Sequence, residues 1–221
     1  MARRSTDAGH PASVGRDVIG GYDLDMPYST STPFTVPGLS VSDGHQVGEA
    51  LQMRLHALND MQLTLKHVHW NVVGVHFIGV HEMLDPQIDA VRDMVDETAE
   101  RMATMGVAPV GTPGALVKAR SWDDYSLLRD DTTAHLAALD LVYTGVIEDH
   151  RALVDETEDL DPVTQDMLIA QVAKLEQFQW FVRAHLQSSS GDLADAGAHT
   201  EQDAADQAVE SADVTARDSA S

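Results

Sequence analysis

The sequence predicts an all-α protein, a four-helix bundle with a short helix in its middle crossover, flanked by flexible tails. Four long segments carry apolar residues at steps of three and four, which is the spacing of one helix face. Glycine and proline mark the ends of these segments, and the middle connection is the longest of the three. Both chain ends lack this periodicity. We therefore expect an N-terminal tail (1–41), a bundle (42–190) and an acidic C-terminal tail without regular structure (191–221).

The first two long helices are predicted on either side of a turn at Gly74. The expected bounds are Ser42 as N-cap to Gly74 for the first helix, and His76 to Met105, stopping at Gly106, for the second. Their apolar stripes are Val47, Leu51, Leu55, Leu58, Met61, Leu65, Val68 and Val72, then Val80, Leu84, Ile88, Val91, Val95 and Met102. Pro86 cannot donate to the carbonyl of Glu82, so a kink or a new helical start is expected there.

The second half of the bundle follows a connection over residues 107–125. The expected bounds are Thr112 to Lys118 for the short helix, Ser121–Asp124 for the start of the third long helix, and Asp161 for the start of the fourth. The apolar stripes are Leu128, Thr132, His135, Leu139, Val142, Val146 and Leu153, then Leu168, Val172, Leu175, Phe178, Val182 and Leu186. His135 is expected to be a hydrogen-bonded core histidine, and Trp180 and Phe181 to be packing residues.

The composition restricts both partners and compartment. Fourteen basic against 36 acidic residues give a net charge of −22, which favours cations as ligands and repels nucleic acid. The chain has no cysteine, hence neither disulfides nor thiolate metal sites. It also lacks an apolar run long enough for a membrane span and an apolar stretch behind its first residues that would indicate a signal peptide. We therefore expect a cytoplasmic protein, either free or associated with the nucleoid.

Five potential metal ligands lie between residues 66 and 100. They are His69, His81, Asp85, Asp96 and Glu100, separated by 12, 4, 11 and 4 residues. Steps of four and eleven return to the same side of a helix. Eleven residues also advance about 16 Å along the axis, so no single metal can join both pairs. The second helix therefore carries two half-sites, and the turn near Gly74 is expected to bring His69 to the first.

A second copy of the same helix, packed antiparallel across a two-fold axis, would complete both half-sites. The bundle contains no glutamate followed three residues later by histidine, which also favours a site between subunits. Two imidazoles and three carboxylates suit iron, manganese or zinc. The alternative is a solvated acidic face formed by Asp85, Asp89, Asp93, Asp96 and Glu97, with incidental histidines.

Three segments around these ligands resemble one known family. Residues 66–71 (KHVHWN), 77–85 (FIGVHEMLD) and 96–101 (DETAER) are similar to the ferroxidase motif of the Dps family, the miniferritins or DNA-binding proteins from starved cells. The likeness continues through residues 111–114 (GTPG), 122–125 (WDDY) and 178–181 (FQWF). It covers roughly residues 33–190 and leaves both ends uncovered. The bundle is accordingly expected to be ferritin-like.

The resemblance implies an iron-storage ferroxidase that protects against oxidative damage. It implies a hollow shell of twelve subunits, in which Fe(II) is oxidised at the dimer interface, with hydrogen peroxide preferred to dioxygen, and ferric mineral is stored. One subunit would supply His69, His81 and Asp85, and its partner Asp96 and Glu100. Trp70 resembles the family's tryptophan beside the site and is expected either to intercept radicals or to pack in the interface, while Lys66 is expected to support the ligands. The acidic pore for iron is expected at Glu156, Glu158, Asp159 and Asp161.

Two other functions remain open at this stage. The first is a DNA-compacting structural protein, which a basic tail would support. Residues 189–221 instead contain eight acidic residues and one arginine, and the N-terminal tail is close to neutral, so binding to duplex DNA is not expected at physiological salt. The second is a metal-buffering shell without oxidation chemistry. Iron-dependent consumption of peroxide distinguishes the buffering shell from a ferroxidase.

Overall fold

The fold is described by a computed structural model for residues 32–219, with side chains as far as residue 214. Over this part of the chain, six helices form, together with two short strands. The helices are α1 (Val41–Asn71), α2 (Phe77–Thr104), α3 (Pro113–Ala119), α4 (Thr132–Thr157), α5 (Pro162–Leu186) and α6 (Glu201–Ser219). The strands β1 (Val72–Val73) and β2 (Asp130–Asp131) pair in parallel, with Val72 opposite Asp130. Among these helices, none is long and apolar enough to cross a membrane.

The predicted four-helix bundle is confirmed and consists of α1, α2, α4 and α5. Helix α1 packs along α2, and α4 along α5. The main core joins Leu58 of α1, Leu84 of α2, Tyr143 of α4 and Phe178 of α5. Every residue of the predicted α1 and α5 stripes is buried. Burial of these large side chains drives the association of the four helices, because each contributes roughly 1.5–3 kcal/mol when removed from water.

The helix ends follow local capping chemistry. The N-cap of α1 is Ser40 rather than Ser42, because the Ser40 hydroxyl accepts a hydrogen bond from the Asp43 amide at 3.0 Å. Helix α2 ends before Gly106, whose φ is +87°, and a side chain there would lie 2.2 Å from the carbonyl oxygen of Phe34. The proline-initiated helices α3 and α5 begin where the sequence predicts.

Pro86 does not start a new helix. Helix α2 continues without interruption from Phe77 to Thr104. Pro86 and Glu82 are both exposed, so water can replace the backbone hydrogen bond that the proline removes. The prediction of a second helical start was wrong, and His81 and Asp85 lie on the same helix as Asp96 and Glu100.

The third long helix begins later than predicted. Its N-cap is Asp131, whose carboxylate accepts hydrogen bonds from the amides of Thr133 and Ala134 at 2.7 and 3.0 Å. The expected start at Ser121–Asp124 is a loop instead, in which the Trp122 indole donates to Asp60 at 2.7 Å. Leu128 is therefore 74% exposed rather than part of the core. His135 is buried and contacts the Tyr125 hydroxyl through Nδ1 at 3.0 Å, as predicted for a core histidine.

The acidic C-terminal segment contains a helix that the sequence did not predict. Helix α6 packs against α4 through Ala204, Ala205 and Ala208, all of which are buried. The Ser126 amide donates to Glu201 at 2.7 Å near the start of α6. Alanine has the highest helix propensity and loses no side-chain entropy on burial, so this face needs no large apolar residue. Most of the predicted N-terminal tail lies outside the described residues.

Candidate metal centre

His69 and His81 form the centre of the candidate site. The turn at Gly74, with φ of +107°, reverses the chain between α1 and α2. It places the two imidazoles in a stack with ring centroids 3.6 Å apart. Nδ1 of His69 lies 3.1 Å from the carbonyl oxygen of His81, and Nδ1 of His81 lies 2.9 Å from that of His69. A carbonyl only accepts, so both Nδ1 atoms donate and both Nε2 atoms retain a lone pair for a metal.

Asp85 and Lys66 complete this half-site. Oδ1 of Asp85 lies 3.4 Å from Nδ1 of His69 and accepts a hydrogen bond from Nζ of Lys66 at 3.2 Å. The Lys66 hydrogen bond lowers the pKa of Asp85, and burial lowers the pKa of His69 against the opposing charge of Asp85. An ionised carboxylate and a neutral imidazole are the forms that bind metal. His67 lies outside the site, because its Nε2 contacts the carbonyl of Leu127 at 2.9 Å.

Asp96 and Glu100 form the second half-site, on the exposed face of α2. They line a cavity of about 640 Å³ together with Asp93 and Glu97. Val163 and Met167, from the start of α5, contribute its apolar lining. Four carboxylates around one cavity attract a cation, and oxygen donors suit hard metals.

Neither half-site is a complete metal site within one chain. Among the described side chains, residues 32–214, no three histidine or acidic groups are arranged to hold a metal ion. Asp85 and Asp96 lie on one continuous helix, about 16 Å apart at 1.5 Å per residue. The structure thus brings His69, His81 and Asp85 together and keeps Asp96 and Glu100 apart from them.

A set of exposed apolar side chains, here called the apolar patch, lies close in the sequence to His69 and His81. It consists of Leu63, Trp70, Val75, Phe77 and Ile78, of which Trp70 is 71% exposed. Large exposed apolar side chains favour a protein interface. The sequence spacing had predicted the ligands but not this patch, because most of its residues lie away from the core stripes.

The predicted pore residues do not share one environment. Glu156, Glu158 and Asp159 are exposed where α4 leads into α5, whereas Asp161 is only 5% exposed. Asp161 caps α5, accepts from the Thr164 amide at 3.0 Å and pairs with Arg101 at 2.5 Å. Burial alone would raise the pKa of Asp161, but hydrogen bonds from Thr164 and Arg101 lower it below its usual value. Asp161 therefore caps α5 in the single chain, and the pore itself stays a prediction.

Two aromatic residues differ in their surroundings. Trp180 was expected to be a packing residue; its ring centroid lies 5.2 Å from that of Phe181, and the side chain is otherwise 63% exposed on α5. Phe181 packs against the main core, as expected. A helical tryptophan two residues before a buried valine, as Trp180 is before Val182, cannot by sequence alone be assigned to one face, because the apolar stripe has a finite width.

Known proteins resemble the chain over the bundle and the candidate site. Residues 48–190 match the ferritin-like domain family. The DNA protection during starvation protein of Mycolicibacterium smegmatis is 60% identical over 177 residues, covering 80% of this chain and 97% of that protein. The fine tangled pili major subunit of Haemophilus ducreyi is 54% identical over 159 residues, covering 72% of this chain and 84% of that protein.

Solved structures agree with these relatives. Mycobacterium smegmatis Dps has a TM-score of 0.75 at 60% identity, covering 78% of this chain and 97% of that one. DpsA14 from Streptomyces coelicolor has a TM-score of 0.73 at 59% identity, covering 76% of this chain and 99% of that one. The bundle and the matched domain define a ferritin-like protein. Within that class, the chain belongs to the Dps family of miniferritins, which supports a general role in iron storage and protection.

Proposed function

We propose that this protein oxidises Fe(II) at sites shared between two subunits and stores the ferric product inside a shell of twelve. The observation that carries the proposal is the histidine half-site. Two imidazoles present Nε2 lone pairs, Oδ1 of Asp85 lies 3.4 Å from Nδ1 of His69, and the described side chains of one chain form no complete metal site. In the shared site, His69, His81 and Asp85 of one subunit face the Asp96–Glu100 pair of another.

The ligand types match the oxidation that we propose. Two Fe(II) ions supply two electrons to one hydrogen peroxide, which with two protons gives two Fe(III) and two waters. Because both electrons arrive together, no hydroxyl radical needs to be released. Neutral imidazoles favour Fe(II) as it binds, and the carboxylates of Asp85, Asp96 and Glu100 favour the harder Fe(III) product. Lys66 holds Asp85 in place and keeps it ionised.

The surroundings of the site support its position in an interface. The apolar patch that includes Trp70 lies beside the histidines, where a second copy would cover it. Trp70 would then lie next to the iron, where an indole can intercept a stray oxidising equivalent. We propose that Fe(II) approaches through the exposed carboxylates of Glu156, Glu158 and Asp159, and exclude Asp161 from this path because it is buried.

Iron-dependent consumption of peroxide by the purified protein tests the proposal. The wild type is expected to consume about one peroxide for each pair of Fe(II) ions. Asp96→Ala/Glu100→Ala is expected to lose this activity while retaining its assembly. Asp89→Ala is the matched control, because Asp89 is an acid on the same helix that pairs with Arg92 rather than with the ligands. Metal binding without peroxide consumption would instead identify a metal-buffering shell.

A further inference from the structure

Asp161 and Arg101 connect the end of α2 to the start of α5. NH2 of Arg101 donates to Oδ2 of Asp161 at 2.5 Å, and Nε of Arg101 donates to the Thr164 hydroxyl at 2.9 Å. The Thr164 hydroxyl in turn donates to Oδ2 of Asp161 at 2.5 Å. The Arg101 side chain is 15% exposed and that of Asp161 8%. The guanidinium is therefore held by two groups of α5 in a largely buried position.

Arg101 also lines the cavity that contains the second half-site. That cavity is lined by Arg101 together with Asp93, Asp96, Glu97 and Glu100. Arg101 lies one helical turn after Glu97, so its long side chain can reach the carboxylate of Glu97. Arginine forms strong, often bidentate pairs with carboxylates, so a released Arg101 would pair with Glu97 and add a positive charge next to the Asp96–Glu100 pair.

We propose that Asp161 is a positioning residue for the Asp96–Glu100 half-site, because it holds and neutralises the Arg101 guanidinium and so keeps these carboxylates available to a metal cation. This inference rests on the proposed function. It gives Asp161 a different role from the pore residue that the sequence predicted. Asp161 acts through Arg101 and does not bind the metal itself.

Removing the negative charge of Asp161 can act in two ways, and both weaken the binding of a divalent cation. If Arg101 leaves α5, it pairs with Glu97 and places its positive charge in the cavity beside Asp96 and Glu100. If Arg101 stays in place, its charge is no longer neutralised and repels an incoming cation. Either effect lowers the affinity for a divalent cation. Removing Arg101 as well as the Asp161 charge abolishes both effects.

Calorimetric titration with Zn²⁺ alone, without iron or oxidant, tests this role. Asp161→Asn keeps a side-chain oxygen that can cap α5 but loses the charge. We expect it to weaken Zn²⁺ binding about fivefold, the scale of one competing ion pair. Asp161→Asn/Arg101→Gln is expected to return to within about twofold of wild type, and Arg101→Gln alone to bind at least as tightly as wild type. Titration of Asp96→Ala/Glu100→Ala measures Zn²⁺ binding at other places on the protein. This background is subtracted from each of the other titrations.

The double variant separates this role from a purely structural one. A structural clamp between α2 and α5 would be lost equally in Arg101→Gln and in the double variant. Wild-type affinity in Asp161→Asn, loss of affinity in Arg101→Gln, or no recovery in the double variant would each overturn the inference. If Asp161→Asn assembles poorly, Arg101→Gln still tests the inference, because a loss of Zn²⁺ affinity in that variant would overturn it. Failure of the wild type to consume peroxide would refute the proposed function instead, whatever the Zn²⁺ affinities are.

Discussion

His150 is expected to make the protein less stable in mild acid. It lies on α4, is fully buried, and contacts the carbonyl of Val146 through Nδ1 at 2.8 Å. Burial, assisted by the positive charge of Arg54, lowers the pKa of His150 to about 4. In the folded protein, His150 is therefore neutral at pH values above about 4. The unfolded chain, with a pKa of about 6.5 for histidine, takes up the proton first as the pH falls.

The size of the effect follows from these two pKa values. The contribution of His150 is fully present above pH 6.5 and is lost as the pH falls towards 4. Between pH 7 and pH 5, the loss amounts to about 2 kcal/mol per subunit, since each pKa unit corresponds to about 1.4 kcal/mol. Burial also lowers the pKa values of His56 and His135, so their contributions have the same sign.

Equilibrium unfolding of wild type and His150→Gln at several pH values measures this effect. Both proteins are measured at the same subunit concentration. The contribution of assembly to the free energy of unfolding is then the same for both and cancels when the two free energies are subtracted. We expect His150→Gln to be less stable at pH 7, with the difference shrinking by about 2 kcal/mol at pH 5. His185→Gln is the matched control, because Nδ1 of exposed His185 contacts the carbonyl of Phe181 in the same i−4 arrangement. A pH-independent difference for His150→Gln, or the same narrowing for His185→Gln, would refute the reasoning.

Three other properties can be tested independently. Tyr143→Phe is expected to destabilise the fold by about 1–3 kcal/mol in thermal unfolding, because it removes the 2.7 Å hydrogen bond to buried Gln87; an unchanged unfolding temperature would contradict this. Light scattering is expected to give about 290 kDa, twelve times 23.9 kDa, at physiological and high salt, since screening weakens self-repulsion; monomers or dimers would exclude the shell. Plasmid DNA is not expected to be retarded in gels at physiological salt with EDTA, because the net charge is −22; retardation lost on deletion of residues 1–16 would assign binding to the N-terminal arginines.

The sequence predicted the bundle because its four long helices bury large apolar side chains at helical spacing. Helix α6 lacked this signal, because it is buried through alanines such as Ala204 and Ala208. The start of α4 was ambiguous, because Ser121 and Asp131 are both acceptable caps. Tertiary contacts favour Asp131, through the β1–β2 pairing and the hydrogen bond from Trp122 to Asp60. Neither contact can be predicted from the residues around Ser121 or Asp131 alone.

The candidate site was predictable as a set of residues but not as an arrangement of hydrogen bonds. Ligand spacing indicated two half-sites on α2, and the glycine turn placed His69 beside His81. The reciprocal Nδ1 contacts depend on the backbone geometry of that turn, which spacing does not determine. The contact between Asp161 and Arg101 was missed for a similar reason, since the two residues are 60 positions apart in the sequence.

Activity of mixed shells tests the shared site most directly. His69→Ala/His81→Ala and Asp96→Ala/Glu100→Ala are each expected to assemble without oxidising Fe(II). When equal amounts are co-assembled at random, half of the two-fold interfaces join unlike subunits, and one of the two sites in each is intact. About one quarter of wild-type peroxide consumption is therefore expected, from the symmetry of the interface alone. No recovery in shells shown by mass spectrometry to contain both variants would contradict a site shared between subunits.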